Sequence, residues 1–245
     1  MRRHKFIISY DGTNYAGWQR QPNGTSIQEM VEGALAQIVG DKIRIFGSGR
    51  TDRGVHARGQ VAHADLSTSV VRAELTHSLN AVLPEDIRIV RISRTVADFD
   101  ARKSAREKEY RYLIWDDPVL PPFIRTYRAH RRKALDVDAM QKAARHLEGR
   151  HDFAAFTANS NRPIGSTTRM LHELSIRRRG HEVIIIARGE GFLYKMVRSL
   201  AGFLIRVGEG RVSPSEARTL LAGGKRTARV PTAPPQGLFL WSVRY

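Results

Sequence analysis

Hydrophobic positions in the first hundred residues alternate between two periods, one typical of strands and one typical of helices. Short apolar or alternating runs predict strands, and apolar residues spaced three or four apart predict amphipathic helices. The predicted strands cover residues 5–10, 42–46, 60–66 and 87–92, and the predicted helices cover 27–39 and 71–83. Their order, β-α-β-β-α-β, is that of a ferredoxin-like unit.

Capping signals mark the ends of these helices. Ser26 and Glu29 form a capping box, Gly40 is suited to end the first helix, and Pro84 stops the second. The apolar face of the first helix consists of Ile27, Met30, Val31, Leu35 and Ile38, and that of the second of Leu75, Leu79 and Val82. Both helices are therefore expected to cover one face of a sheet.

A similar series of elements follows after residue 107. The predicted strands cover 108–115, 170–176, 182–187 and 238–244, and the predicted helices follow Asp136 up to Gly149 and cover 192–207. Residues 213–216 resemble a capping box with proline at the first helical position, which indicates an additional short helix. The sequence therefore predicts an α+β protein with two related ferredoxin- or RRM-like βαββαβ halves, 1–100 and 101–245, each an antiparallel sheet covered by helices.

Charge narrows the class of partner. The 245 residues include 41 Lys and Arg against 24 Asp and Glu, a net charge of +17. Such a surplus favours a polyanionic partner, with nucleic acid as the first candidate. The longest apolar run, 197–207, is too short to cross a bilayer, the N-terminus resembles a strand and not a signal peptide, and the chain has no cysteine. A cytoplasmic protein without a membrane partner is expected.

One loop concentrates groups that can carry chemistry. Residues 46–60 contain four glycines, three arginines, Asp52 and His56 between two predicted strands. Glycines permit positive φ angles and close approach of a ligand to the main chain. A carboxylate among guanidinium groups is expected to stay ionised, so Asp52 can serve as a nucleophile, a base or a metal ligand. The alternative is a surface turn in which Asp52 binds its own backbone.

Two segments combine aromatic with polar or basic residues. In residues 10–21, Trp18 lies beside Gln19 and Arg20, a combination that can bind a base or a sugar-phosphate. The alternative is an ordinary loop held by a buried tryptophan. Residues 99–112 interleave basic residues with tyrosines, which suits RNA but equally suits a solvated edge strand.

Two further segments lie in the second half. Residues 188–198 end in Arg198, which falls within an apolar helix and needs a partner, for which Asp52 and Glu190 are candidates. Residues 233–238 are most simply a rigid turn into the last strand.

Metal and hydrolase chemistry find little support in the sequence. His56, His63 and Asp65 lie close together, and the last two share a strand face, but no metalloprotease-like motif accompanies them. The chain has no Gly-x-Ser-x-Gly elbow and no Walker phosphate loop. No metal site is therefore predicted.

The loop around Asp52 also carries a family resemblance. Residues 49–57, Gly-Arg-Thr-Asp-Arg-Gly-Val-His-Ala, resemble the signature loop of the TruA-type tRNA pseudouridine synthases. Asp100 and Lys103 depart from the family pattern and are assigned no role, and position 53 varies in the family, so Arg53 is a weaker candidate than Arg50. Further segments that resemble family motifs, in the same order, are residues 10–19, 110–112, 152–156, 191–198 and 234–238.

The resemblance implies an isomerase that converts uridine to pseudouridine in the anticodon stem-loop of tRNA, at positions 38–40. Asp52 would be the nucleophile, and attack on C6 of uracil and attack on C1′ of ribose are both open. Breaking and remaking one glycosidic bond needs no redox partner, hydrolysis or energy source. No cofactor is therefore expected.

The resemblance also assigns roles to individual residues. Arg50 and Arg198 would keep Asp52 ionised, and Arg50 would occupy the space that the flipped base vacates. Tyr110 would stack on the flipped uracil and assist proton transfer. The residues expected to bind substrate are Tyr110, Arg50, Lys195, Gln19 and Arg58. The implied architecture is a homodimer of chains in which both halves form one central mixed sheet flanked by helices, the pseudouridine synthase fold.

Two other classes of function stay open from the residues alone. A non-catalytic RNA-binding protein with RRM-like halves would need aromatic pairs on central strands. A metal-dependent RNA nuclease would use Asp52, His56 and Asp65. The sequence does not identify the modified tRNAs and uridines, the packing of subunits, the role of His56 or that of the basic cluster at 125–133, for which we expect phosphate contact.

Overall fold

The structure, a computed structural model, describes residues 1–67, 72–158 and 165–245. Its strands are β1 (Arg2–Tyr10), β2 (Phe46–Gly47), β3 (His56–Leu66), β4 (Ile87–Arg94), β5 (Glu107–Asp116), β6 (Ala129–Arg131), β7 (Gly149–Asp152), β8 (Thr168–Arg179), β9 (Glu182–Gly189) and β10 (Leu238–Arg244). Its helices are α1 (Ile27–Val39), α2 (Arg72–Val82), α3 (Val137–Arg145), α4 (Met196–Gly208) and α5 (Glu216–Gly223). Short 3-10 helices cover Pro122–Ile124, Ala154–Phe156 and Pro235–Gly237.

The contacts divide the chain into two compact units. The first unit comprises Met1–Arg106 and Phe239–Tyr245, and the second comprises Glu107–Leu238. Each unit combines helices with a mixed sheet, which confirms the predicted α+β class. That residues 1–100 and 101–245 are related halves stays a prediction.

The sheet of the first unit has the strand order β4-β1-β3-β10, with β2 also paired to β3. Strand β1 is antiparallel to β3 and β4, whereas β10 runs parallel to β3 through Phe239 and Leu240. The final strand, assigned by the sequence to the second half, therefore lies in the first unit. Fully buried side chains of this unit include Phe6, Ile8, Ile27, Leu35 and Leu79.

The sheet of the second unit has the order β5-β9-β8-β7, with antiparallel neighbours throughout. The short strand β6 pairs in parallel with β5. Helix α3 packs against both α4 and β8. The fully buried side chains of this unit include Tyr112, Phe153, Phe156 and Phe203.

Local capping signals predicted helix starts correctly in two places. The Ser26 hydroxyl accepts the N–H of Glu29 at 3.2 Å, and the Asp136 carboxylate accepts the N–H of Ala139 at 2.9 Å. Gly40 is left-handed, with φ 82°, and ends α1 as predicted. In contrast, Ile38 is 38% exposed, so the predicted apolar face of α1 extends one turn too far.

The strand predicted over residues 42–46 is wrong for most of its length, because β2 contains only Phe46 and Gly47. Side chains of α1 bind the polar backbone groups of Ile45 instead: Gln28 Nε2 donates to its carbonyl at 3.0 Å, and Glu32 Oε1 accepts its N–H at 3.1 Å. These bonds replace the strand pairing that the apolar pattern predicts.

Three helix boundaries also differ from the predictions. Helix α4 begins at Met196 and not at Phe192, because Lys195 is left-handed with φ 56°. Helix α3 ends at Arg145, and Gly149 is the first residue of β7. The capping box predicted at residues 213–216 is absent: the hydroxyls of Ser213 and Ser215 bond to each other, and Ser215 makes no side-chain cap.

The short strands β6 and β7 were not predicted, since three or four residues are too few to show a period. Strand β10 has its predicted bounds. The other predicted strands, except the one at 42–46, extend beyond their predicted bounds: β1, β3, β4, β5, β8 and β9. Val71, predicted as the start of α2, lies outside the described residues. Within the described part of the chain, no helix is long and apolar enough to span a membrane.

Candidate functional site

Asp52 lies at the start of a tight turn between β2 and β3. Its carbonyl accepts the N–H of Val55 at 3.1 Å, and Gly54 has φ 74°. A positive φ at the third turn position with a conventional φ at the second is the pattern of a type II turn, which favours glycine there. Arg53 is exposed and Asp52 is half-buried, so the turn lies at the surface and is not enclosed in the core.

The residue before Asp52 is fixed by buried contacts. Thr51 Oγ1 and the Tyr10 hydroxyl are hydrogen-bonded at 2.8 Å, and the Thr51 carbonyl accepts the N–H of Trp18 at 3.1 Å. Burial raises the pKa of Tyr10, so its hydroxyl stays protonated at neutral pH. Trp18 is buried, which confirms that a buried tryptophan holds the loop after β1.

Two glycines of the loop after β1 permit close backbone contact with the turn. A β-carbon on Gly17, which has φ 109°, would lie 2.5 Å from the carbonyl oxygen of Thr51. A β-carbon on Gly12 would lie 2.0 Å from the carbonyl oxygen of Val55. The chain around Asp52 therefore depends on glycine at both positions.

The first part of the Asp52 loop is held from β3. Gln60 is fully buried. Its Oε1 accepts a hydrogen bond from the Ser48 hydroxyl at 2.8 Å, and its Nε2 donates to the carbonyl of Gly49 at 2.9 Å. The N–H of Ser48 donates to the carbonyl of Val61 at 2.7 Å. The role of Gln60 was not predicted, because a glutamine on a strand carries no motif of its own.

Arg50 and Gln19, both predicted to bind substrate, are in contact. Arg50 Nε donates to Gln19 Oε1 at 3.2 Å, and Gln19 Nε2 donates to Gln28 Oε1 at 2.7 Å. Gln28 also donates to Glu32 at 3.0 Å. The Arg50 side chain is exposed, and this chain of amides connects it to α1.

His56 and Arg58 take different positions on β3. His56 is buried, its Nδ1 accepts the N–H of Gly12 at 3.0 Å, and its ring stacks on Phe239 at 4.6 Å. Together with Asp11, whose Oδ1 lies 3.0 Å from the same Nδ1, these contacts fix the position of the His56 ring. Arg58 is exposed, and its guanidinium lies 4.5 Å from the ring centroid of Trp241.

In the second unit, Tyr110 lies on β5 opposite Ala187 of β9. It is 8% exposed, and its ring meets that of Phe192 edge-on, with centroids 5.1 Å apart and an interplanar angle of 80°. Edge-to-face contact between aromatic rings is favourable and holds the ring plane of Tyr110.

Arg198 is half-buried on α4. Its Nε donates to the carbonyl of Ala233 at 2.8 Å, and the N–H of Ala233 donates to the carbonyl of Arg198 at 3.0 Å. Arg226 donates to Ser199 and Thr232 at 2.7 and 2.8 Å, and burial lowers its pKa. Residues 226–233 are thereby fixed on α4. The sequence predicted neither contact.

The basic cluster at 125–133 divides into paired and exposed cations. Arg128 Nε donates to Glu182 at 2.6 Å, and Arg131 lies 3.3 Å from Glu209. Arg132 and Lys133 are exposed. The exposed pair is therefore better placed than the paired arginines to contact phosphate.

The histidine and aspartate considered as metal ligands have other contacts. His63 Nδ1 accepts the N–H of Ala101 at 3.0 Å, and Asp65 binds the guanidinium of Arg3 at 2.7 and 2.9 Å. Among the described residues, no three His, Asp or Glu side chains lie close enough together to hold a metal ion.

Comparison with known proteins identifies the family. The sequence model described as tRNA pseudouridine synthase matches residues 6–102 and 143–245. These ranges cover most of the chain, so the chain belongs to the tRNA pseudouridine synthase family, a class of isomerases. The matched ranges contain Asp52 and Arg198, whereas Tyr110 falls between them.

Full-length relatives are named tRNA pseudouridine synthase A. The chain is 42% identical to that of Brevibacillus brevis, 45% to that of Geotalea uraniireducens and 45% to that of Pelobacter propionicus, each covering 100% of both chains. Among solved structures, a chain in a Cbf5-Nop10-Gar1 complex is 15% identical, with 83% of this chain and 45% of that chain covered. The TM-score between the two chains is 0.37.

Proposed function

We propose that this chain isomerises uridine to pseudouridine in the anticodon stem-loop of tRNA, at positions 38–40, with Asp52 as the nucleophile. The observation that carries the proposal is the support of the Asp52 turn, in which Tyr10, Trp18 and Gly17 hold the main chain while Asp52 itself stays half-exposed. A preorganised nucleophile needs a fixed main chain and an accessible side chain.

The proposed reaction balances without any co-substrate. The Asp52 carboxylate adds to C6 of uracil or to C1′ of ribose, and the bond between C1′ and N1 breaks. The base then rotates, a new bond forms between C1′ and C5, and the bond from Asp52 to C6 or C1′ breaks, which returns the free carboxylate. The proton lost from C5 is matched by the proton gained at N1. Ionised Asp52 is the reactive form of the nucleophile.

Arg50 and Gln19 act together in this proposal. A flipped uridine leaves a gap in the RNA stack, and a guanidinium can fill it while binding phosphate or a base edge. The hydrogen bond from Arg50 to Gln19 limits the rotamers of Arg50 and lowers the entropy cost of binding RNA. Arg50 thus contributes to both catalysis and substrate binding.

We assign two residues of the second unit to the same reaction. Tyr110 stacks on the flipped uracil and assists proton transfer, and its contact with Phe192 orients the ring. Arg198 is proposed as a catalytic residue, and its contact with Ala233 orients the guanidinium. Lys195 and Arg58 are proposed to bind the RNA, together with the exposed Arg132 and Lys133.

We further propose that the protein is a homodimer that acts in the cytoplasm, where its tRNA substrate is found. Light scattering on a size-exclusion column tests the dimer. A mass near twice the 27.7 kDa of one chain supports it, and a mass of one chain contradicts it.

The position of modification is tested with tRNA transcripts that carry a single uridine at 38, 39 or 40. A matched transcript has none of the three. Carbodiimide treatment followed by primer extension maps pseudouridine. We expect a new stop for each single-uridine transcript and none for the control. Stops that arise only elsewhere in the tRNA would contradict the proposed position.

A further inference from the structure

Lys195 has an unusual backbone conformation at the start of α4. Among the residues that the structure describes, it is the only non-glycine residue with positive φ, 56°. It is the N-cap of α4, yet its side chain makes no capping hydrogen bond. N-cap residues normally have an extended backbone and cap the helix through a short polar side chain. Strained conformations of this kind persist where the surroundings enforce them, and they cluster at functional sites.

The residues next to Lys195 enforce this conformation. The carbonyl of Tyr194 accepts two hydrogen bonds, from the N–H of Ala158 at 3.1 Å and from Thr157 Oγ1 at 3.2 Å. The N–H of Met196 donates to the carbonyl of Leu193 at 3.1 Å. The main chain is thus held on both sides of Lys195.

This geometry exposes an aromatic ring beside a cation. Tyr194 is 45% exposed, and Lys195 Nζ lies 4.9 Å from its ring centroid. Packing therefore covers only part of Tyr194 and leaves surface on which a ligand can lie. An exposed aromatic ring beside an ammonium group offers a stacking surface and a phosphate contact at one place.

We propose that Tyr194 and Lys195 form a nucleotide-binding pair that holds one unstacked nucleotide of the tRNA. The base stacks on the exposed part of the Tyr194 ring, and the Lys195 ammonium contacts the phosphate. The net charge of +17 favours RNA over a neutral partner. The inference rests on the proposed function only in taking tRNA as the RNA. It adds a role for Tyr194, because neither the sequence motif nor the family match assigns one to this residue.

Stacking on an aromatic ring tolerates any base, because every base has a π face. The pair is therefore expected to strengthen binding without selecting a sequence. The left-handed conformation of Lys195 sets the direction in which the chain passes from Tyr194 into α4. Its strain is a cost to stability that glycine would remove.

The test measures equilibrium binding of unmodified tRNA transcript to wild type and to variants at both positions. Tyr194→Phe keeps the ring, Tyr194→Leu keeps apolar bulk without the ring, and Tyr194→Ala removes both. Lys195→Asn removes the charge but tolerates the left-handed conformation. Thermal unfolding shows whether each variant is folded, and Lys195→Gly reports the strain by unfolding at a higher temperature than wild type.

We expect Tyr194→Leu and Tyr194→Ala to weaken binding by about 5- to 150-fold and Tyr194→Phe to bind like wild type. Lys195→Asn is expected to weaken binding and to lower the salt slope by about 0.7. Wild-type affinity in both Tyr194→Leu and Tyr194→Ala overturns the proposal, and so does equal weakening by Tyr194→Phe. Isomerisation is assayed separately, so its absence in wild type contradicts the proposed function and leaves the binding result for the pair unaffected.

Discussion

Arg50 Nε donates to Gln19 Oε1 at 3.2 Å, and this contact joins the Asp52 loop to the segment after β1. Gln19 in turn donates to the side-chain amide of Gln28, which belongs to α1. Gln28 also donates to Glu32 and to the carbonyl of Ile45. The direction of the exposed Arg50 guanidinium, two residues before Asp52 in the chain, is therefore set by a series of side-chain amides that begins in α1.

Replacement of Gln19 by leucine is expected to lower kcat/KM for tRNA by about tenfold, because a net hydrogen bond to a charged group is worth about 1.5 kcal/mol. Steady-state kinetics on a tRNA transcript measure the effect. Gln21→Leu is the matched control, since Gln21 Nε2 donates to the carbonyl of Ala16 and not to Arg50. An equal loss in both variants would show that Gln19 acts through the loop as a whole.

Replacement of Gly17 by alanine is expected to destabilise the protein by roughly 1–3 kcal/mol, because of its φ of 109° and the clash with Thr51. Gly33→Ala is the control. Gly33 lies in α1 with no atom within 4 Å of an added β-carbon, so alanine should stabilise by about 0.5–1 kcal/mol. Urea unfolding compares the two. Equal stability of both variants would contradict the close packing of Gly17 on the Asp52 turn.

The exposed cations Arg132 and Lys133 are expected to contribute to the salt dependence of tRNA binding. Changing both to glutamine should lower the slope of log K against log salt by about 1.4–1.8, from two lost phosphate contacts. Arg128→Gln, which breaks the pair with Glu182, should affect stability more than this slope. An unchanged slope in the double variant would contradict phosphate contact by Arg132 and Lys133.

His63 is expected to make stability depend on pH. Burial lowers the pKa of His63, with Arg3 acting in the same direction and Asp100 and Asp65 against it. As pH falls, His63 therefore takes up its proton near pH 6.5 in the unfolded chain and only at a lower pH in the folded protein. The free energy of unfolding keeps its full value above pH 6.5 and decreases as pH falls toward the lower folded pKa. Protonation of Nδ1 would also break the bond from Ala101.

The free energy of unfolding is measured from pH 8 to pH 5 for wild type and for His63→Asn, which keeps an acceptor but does not titrate. The pKa of His4 is also lowered by burial, and His4 is present in both proteins, so the difference between the two curves isolates His63. We expect the variant to lose less stability on acidification. Parallel curves would contradict the assigned pKa direction.

The sequence predicts elements and motifs well where the deciding contacts are local. The caps at Ser26 and Asp136 follow from residues three positions away, and both are confirmed. The strand predicted at 42–46 is wrong because side chains of α1 bind the backbone of Ile45. No local pattern contains that information.

The candidate site shows the same limit. Motif resemblance selects Asp52, Arg50 and Arg198, and their catalytic roles stay predictions. The residues that hold them come from elsewhere in the chain: Tyr10 lies 41 positions from Thr51, and Ala233 lies 35 positions from Arg198. Such contacts depend on the folded chain and leave no periodic trace in the sequence.

The most direct test of the account compares wild type with Asp52→Asn on one tRNA transcript in the presence of EDTA. Asparagine keeps the size of the side chain and removes the nucleophilic carboxylate. Pseudouridine is mapped after carbodiimide treatment, and tRNA binding is measured in parallel. We predict new stops at positions 38–40 with wild type only, together with similar tRNA affinity for both proteins. Stops of equal strength with Asp52→Asn would contradict the assignment of Asp52 as the nucleophile.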